Sequence, residues 1–129
     1  MTLSYDELLV KYPKLYSELS YFETDIGWLN LIDELSQKLE AINNKYEDAE
    51  TCVYAVQVKQ KFGGLRFYVY SRDLSEEDYQ TCQNLIAEAE KTSYNVCESC
   101  GKPASSFKRN FWILTLCKEC QEASKSVKS

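Results

Sequence analysis

Four of the six cysteines in this 129-residue chain fall into two Cys-x-x-Cys pairs, Cys97/Cys100 and Cys117/Cys120, with sixteen residues between the inner cysteines. Two residues inside each pair let both sulfurs reach one ion, and a spacer of this length can fold back to bring the pairs together. Four thiolates close a tetrahedral shell and leave no position for water or substrate. The chemistry implied is one structural Zn2+ per chain, which argues against metal catalysis. Two disulfides, or a redox-active Cys-x-x-Cys, are the alternatives.

The neighbours of these cysteines suggest how they are held. Gly101 lets the chain turn beneath the first pair. Residues 111–116, Phe-Trp-Ile-Leu-Thr-Leu, read as a strand delivering Cys117. Residues 118–125 read as a helix with Cys117 and Cys120 in or beside its first turn, where free N–H groups and the helix dipole favour thiolate. A knuckle, a hairpin and ligands at a helix start describe a treble-clef finger; a zinc ribbon is the other possibility. The chain has no histidine, which removes the commonest general base and the commonest ligand of a catalytic zinc.

The elements that must position this site come before it. Ser4 to Glu7 fit a capping box, and Leu8, Tyr12, Leu15, Tyr16 and Leu19 follow at helical spacing, so a first helix either ends near Tyr12 and restarts with Pro13 in its first turn or runs on with a kink. Trp28, Leu31, Ile32, Leu35, Leu39 and Ile42 make the apolar stripe of a second helix, capped by Thr24 or Asp25 and ended by Asn43 and Asn44, with Asp33, Glu34, Lys38 and Glu40 elsewhere around it. Residues 52–59 and 65–70 read as strands joined at Lys61, Phe62, Gly63 and Gly64, with Leu65, Phe67 and Val69 on the face toward the second helix. Ser75 caps a third helix whose packed face holds Tyr79, Cys82, Ile86, Ala89 and Ser93. The expected fold is α+β: helices packed on a β-hairpin, followed by a treble-clef or ribbon-like zinc finger. No linker separates the parts, so residues 1–129 read as a single domain in which a 97–129 finger docks on a 1–96 core.

Charge constrains the partners. Residues 1–50 carry eleven acidic and four basic side chains, residues 97–129 three and six, and the net charge is −5. Metal-bound thiolates further reduce the C-terminal excess, which disfavours nucleic acid as a partner. No apolar run is long enough for a membrane span, and Met1 to Asp6 lack the pattern of a signal peptide, so a cytoplasmic protein with no membrane partner is expected.

Other motifs say less. Phe62-Gly63-Gly64-Leu65 lacks the helix and the Gly-Lys-Ser/Thr ending of a phosphate loop. Cys52 and Cys82 read as core residues. The hairpin end, with Lys61, Phe62, Gly63, Gly64 and Arg66, together with Trp112 on the finger, is the candidate partner-binding surface: it combines aromatic and basic side chains with glycines that admit close approach.

Ile26-Gly27-Trp28, the run Lys61-Phe62-Gly63-Gly64-Leu65-Arg66-Phe67-Tyr68-Val69, and Cys97-Glu98-Ser99-Cys100-Gly101-Lys102-Pro103 with Trp112-Ile113-Leu114-Thr115-Leu116-Cys117 together resemble a family of small zinc-binding proteins of unassigned function in bacteriophage and bacterial genomes. The resemblance spans most of residues 25–120. It departs from the family at residues 25–27, where a glycine-richer turn is usual, and at Phe111, where glycine often precedes the tryptophan. It implies a phage-associated context and supplies no reaction. The reading is a non-enzymatic, zinc-stabilised protein-interaction module, a modulator or inhibitor of a host protein. The alternative is a nucleic-acid-binding zinc finger, favoured by Lys102, Lys108, Arg109 and Lys118. An enzyme ranks third, because no nucleophile and base can be paired from the motifs.

Overall fold

Ser4 accepts a hydrogen bond from Glu7 N at 3.3 Å and starts helix α1, Tyr5–Lys11. The computed structural model describes residues 4–48 and 50–127; the leader reading at residues 1–3 and the last two positions of the 97–129 module lie outside them. Pro13 has no N–H to continue α1, and the next two N–H groups, of Lys14 and Leu15, both bond at 3.0 Å to the Glu40 carboxylate. The first helix ends at its C-cap Tyr12, as one reading of the spacing had it, but the chain then passes through turns over residues 13–18 and neither restarts a helix at Pro13 nor runs on with a kink.

A 3-10 turn, Ile26–Trp28, is capped by the Asp25 side chain and leads into α2, Leu29–Asn43. Trp28, Leu29, Ile32, Leu35, Leu39 and Ile42 are buried, and Leu31 packs at the margin of the core. Two polar residues of α2 are buried as well. Glu40, expected on the solvent side, is 6% exposed because its oxygens are taken by Lys14 N, Leu15 N and Asn43 Nδ2. Asn43, read only as a helix terminator, is fully buried. Its amide donates to Val53 O at 2.9 Å and accepts from Val53 N at 2.8 Å, as a neighbouring strand would. The helix end thereby fixes where the next strand begins.

That strand, β1 (Cys52–Lys61), pairs antiparallel with β2 (Gly64–Arg72). Lys61 faces Gly64, so the loop is Phe62 and Gly63 alone, at φ +55° and +81°. A two-residue turn with positive φ at both positions matches the right-handed twist of the strands. The left-handed positions are thus Phe62 and Gly63, and Gly64, read as part of the join, is already in the strand. Val53, Ala55, Val58, Leu65 and Phe67 face the core, while Tyr68 and Tyr70 stay open to solvent.

Helix α3, Glu76–Ser93, is capped by Ser75 and buries Cys82, Ile86, Ala89 and Ser93 beside β2. Tyr79, placed on that face by its spacing, is exposed; Asp78 is the buried residue of that turn. Its carboxylate binds Lys45 Nζ at 2.7 Å and accepts from the Tyr46 hydroxyl. A second antiparallel pair, β3 (Ser105–Arg109) and β4 (Trp112–Leu116), and helix α4 (Lys118–Val127) complete the α+β chain. Among the described residues no helix is long and apolar enough to cross a membrane.

Two expected outcomes follow from the buried polar groups. Glu40→Ala orphans three donors and is expected to cost about 2–4 kcal/mol in a urea titration, while Lys38→Ala, on the exposed side, stays within about 0.5 kcal/mol. Equal losses would show that Glu40 does not hold the turn after Pro13. Asp78 is held below the ordinary aspartate value of 3.8 by hydrogen bonds from Lys45 and then Tyr46, against the opposing effect of desolvation. A carboxylate lowered in the folded state contributes stability above its unfolded value and loses it as pH falls through the folded one. Unfolding followed from pH 7 down through about pH 4 to 2 should therefore show an acid-dependent decline that Asp78→Asn reduces; an unchanged decline would place it elsewhere.

Candidate metal centre

Gly101 takes φ +85°, Gly101 N bonds Cys97 O at 2.9 Å, and Cys97 N bonds Lys102 O at 2.8 Å. These bonds fold residues 97–102 into a knuckle that turns Cys97 and Cys100 the same way. The β3–β4 pair returns the chain. Its turn is Asn110 and Phe111, since Arg109 faces Trp112, so Phe111 sits at the tip and not in the strand to which its type assigned it. Cys117 immediately precedes α4, Gln121 N bonds its carbonyl at 2.9 Å, and Cys120 lies in the first turn. Knuckle, hairpin and helix start follow the treble-clef order, with Cys117 just before the helix and Cys120 in its first turn.

The four sulfurs lie within 4.8 Å of one another. Cys100 Sγ and Cys117 Sγ are 3.6 Å apart and all six cysteines are free thiols. A disulfide has sulfurs about 2.05 Å apart, whereas a tetrahedral ion with bonds of about 2.3 Å sets its ligands about 3.8 Å apart. The group could hold one metal ion, and the geometry is that of converging ligands. Cys97 is fully buried, Cys117 nearly so, and Cys100 is exposed, so one side of the site meets solvent.

Thiol chemistry supports the same use. Burial raises the Cys97 thiol, but N–H groups of Cys117, Cys100 and Ser99 outweigh it and bring the group down to about 7. A backbone bond from Lys102 favours the Cys100 thiolate, yet desolvation and contact with Cys117 and Cys97 leave that thiol raised. Contact with Cys117 and then Cys100 pushes Cys120 up to about 12. The Cys97 thiolate is favoured and those of Cys100 and Cys120 are disfavoured, as expected for crowded sulfurs until a cation balances their charge.

The knuckle is bonded to the rest of the chain at several points. Gly27 N donates to Glu98 O at 2.6 Å, Trp28 Nε1 to Val96 O at 2.8 Å, and Asp25 N to the Glu98 carboxylate at 3.1 Å. Burial raises the Glu98 carboxyl, with the Asp25 N–H opposing the shift. A Cβ on Gly27 would lie 2.2 Å from Cys97 O and 2.3 Å from Glu98 O, so the backbones approach more closely than any side chain allows. Nothing in the sequence marked Gly27 as a partner of the knuckle; its place beside a buried tryptophan was the available signal.

The candidate partner-binding residues divide. Gly63 and Gly64 are buried. Gly63 O accepts from Thr115 Oγ1 at 2.5 Å, and Gly64 packs under the Tyr94 ring. Their lack of side chains serves internal contact, so they offer no backbone to a partner. Arg66 is half-buried and donates to Tyr94 OH at 3.2 Å. Lys61, Phe62 and Trp112 are exposed, and with Gln60, Phe111 and Ile113 they line one groove between the two hairpins. Phe111 and Ile113 were not singled out by sequence; the position of Phe111 in a turn was the missed signal. No family model, curated protein or solved structure matches the chain.

Proposed function

We propose that the chain is a zinc-stabilised, non-enzymatic module that binds a protein through the apolar groove between its two hairpin tips. The observation that carries this reading is the exposure of Phe62 (60%), Phe111 (95%), Trp112 (67%) and Ile113 (37%) at one place. Large side chains left open together on a small protein mark an interaction surface, and aromatic anchors in a groove are what protein partners desolvate. Lys61, whose ammonium lies over the Phe62 ring at 5.5 Å, supplies a polar rim.

Zinc fits the donor set, because four soft thiolates in tetrahedral order suit it better than harder cations. Cys97, Cys100, Cys117 and Cys120 would hold it, and its effect is structural: the ion fixes β4, and β4 carries Trp112 and Ile113. A closed shell of thiolates supports binding over catalysis. The thiolate site also suits a reducing compartment, which supports a cytoplasmic location, and the resemblance to phage-encoded proteins supports a host protein as the partner.

Protein purified without chelator should carry one equivalent of zinc, cobalt should replace it with the absorption of a tetrahedral thiolate site, and chelation should unfold at least residues 97–120. A metal content well below one equivalent, with oxidised cysteines, would overturn the zinc reading. Partner binding is tested by affinity capture from host lysate with the native chain and variants in parallel, followed by titration of the captured protein. Trp112→Ala and Phe62→Ala are expected to weaken that titration by about 1–2 kcal/mol each with zinc content unchanged. Variants that bind as well as the native chain would rule out the groove.

A further inference from the structure

Residues 52–72 contain four basic side chains and no acidic one, in a chain of net charge −5. The strand register collects all four on the outward side of the β1–β2 hairpin. Lys59 stands opposite Arg66, Lys61 lies two residues beyond Lys59, and Arg72 lies at the far end of the same alternation. The irregularity between Ala55 and Gln57 keeps Tyr54 and Gln57 on this side, opposite Tyr70 and Tyr68. Strand β2 thus presents Arg66, Tyr68, Tyr70 and Arg72 at every second position, while Leu65 and Phe67 are buried and Val69 packs on the core.

This face is poorly matched to the protein's own interior needs. Lys59 directly faces Arg66, and like charges opposed across an antiparallel pair destabilise it. Among the described residues the ion pairs are Lys11 with Asp33, Lys45 with Asp78 and Lys102 with Glu119; none involves the four hairpin cations. Arg66 reaches the Tyr94 hydroxyl, and Arg72 lies 4.6 Å above the Tyr54 ring. Glu23 borders the face, where its carboxylate accepts from Gln57 at 3.1 Å. Much of the acidic excess is carried on α2 and α3, and Glu90 of α3 comes to β2 beside Tyr68, where its carboxylate accepts from Phe67 N at 3.5 Å.

We propose that this outward face binds single-stranded nucleic acid, with phosphates on Lys59, Arg66 and Arg72 and bases stacked on Tyr68 and Tyr70. Charge complementarity selects an anionic occupant, and the rings select among anions. Tyr68 and Tyr70 are 41% and 64% exposed, and two residues of strand separate them by about 6.8 Å. Rings in a row on a strand, flanked by cations, suit successive bases. A duplex would meet the cations and leave the rings idle, and the Asp and Glu side chains of an acidic polypeptide carry no aromatic ring to stack on them. The net negative charge does not prevent this, because screening confines the relevant field to about 8–10 Å. The site is separate from the aromatic groove and does not rest on it; Lys61 lies between the two.

The test is fluorescence anisotropy of the zinc-loaded full chain with labelled oligouridine and oligothymidine of about twelve nucleotides. Binding should weaken with salt at a log–log slope of about −2, from three neutralised phosphates at about 0.7 each for a single strand. Tyr68→Ala or Tyr70→Ala should loosen binding at least about fivefold. Arg72→Ala should flatten the slope by about 0.7, and Trp112→Ala should change nothing. Circular dichroism and metal content of each variant keep unfolding from mimicking a lost contact. Absence of binding at low salt overturns the proposal, as do tyrosine variants that bind like the native chain. Displacement of the oligomer by polyglutamate as readily as by unlabelled oligomer also overturns it, in favour of an acidic protein. Loss of protein binding in the Trp112 variant with oligomer binding intact would separate the two sites.

Discussion

Between Gly27 and the backbone of Cys97 and Glu98 there is no room for a methyl group, with a hypothetical Cβ 2.2 Å from the nearer carbonyl. This close approach makes the finger part of the fold. The Gly27 N–H bonds Glu98 O, the indole of the next residue bonds Val96 O, and Glu98 N in turn bonds Thr115 O on β4. Thr115 then reaches Gly63 O at the end of the other hairpin. A chain of hydrogen bonds thus runs from the start of α2 through the knuckle to both hairpins. A buried polar group left without its partner costs about 1–3 kcal/mol, so the contacts are costly to break singly.

The core needs such polar fastening because its apolar elements are few. One helix stripe and one face of a two-stranded sheet bury most of the large side chains, and an isolated two-stranded hairpin is marginal in water. Glu40 and Asn43 supply what a third strand would otherwise give. Glu40 holds the turn after Pro13, and Asn43 pairs with both backbone groups of Val53. These bonds set the end of α2 against the start of β1, which fixes the placement of the hairpin tip beneath the finger.

The finger is organised by the opposite logic. Its strands are five residues each and bury only Thr115 fully, too little apolar surface to offset the entropy of ordering them. Four sulfurs within 4.8 Å give a single ion the means to do so. Because this hairpin packs its inner residue Thr115 against Gly63, its outer residues Trp112 and Phe111 are left at the surface beside Phe62. Exposure of aromatics here is a consequence of how the two hairpins meet.

Local order was legible from the amino-acid sequence. Cys-x-x-Cys spacing identified the four cysteines whose sulfurs converge, and the stripe from Trp28 to Ile42 identified α2. Alternation of Leu65, Phe67 and Val69 against Arg66, Tyr68 and Tyr70 identified the two faces of β2. These features depend on covalent spacing and on the fixed periods of helix and strand, which any reader of the chain can count. Tertiary structure decided the rest. Glu40 looked solvent-facing until the N–H groups freed at Pro13 gave its oxygens partners. Gly63 and Gly64 looked available to a partner until Thr115 and Tyr94 packed against them. Phe62, Phe111 and Trp112, some fifty residues apart, became one surface, and four cations scattered over residues 59–72 became one face. Each of these depends on which distant group arrives at a given atom, and no periodicity in the chain encodes that arrival.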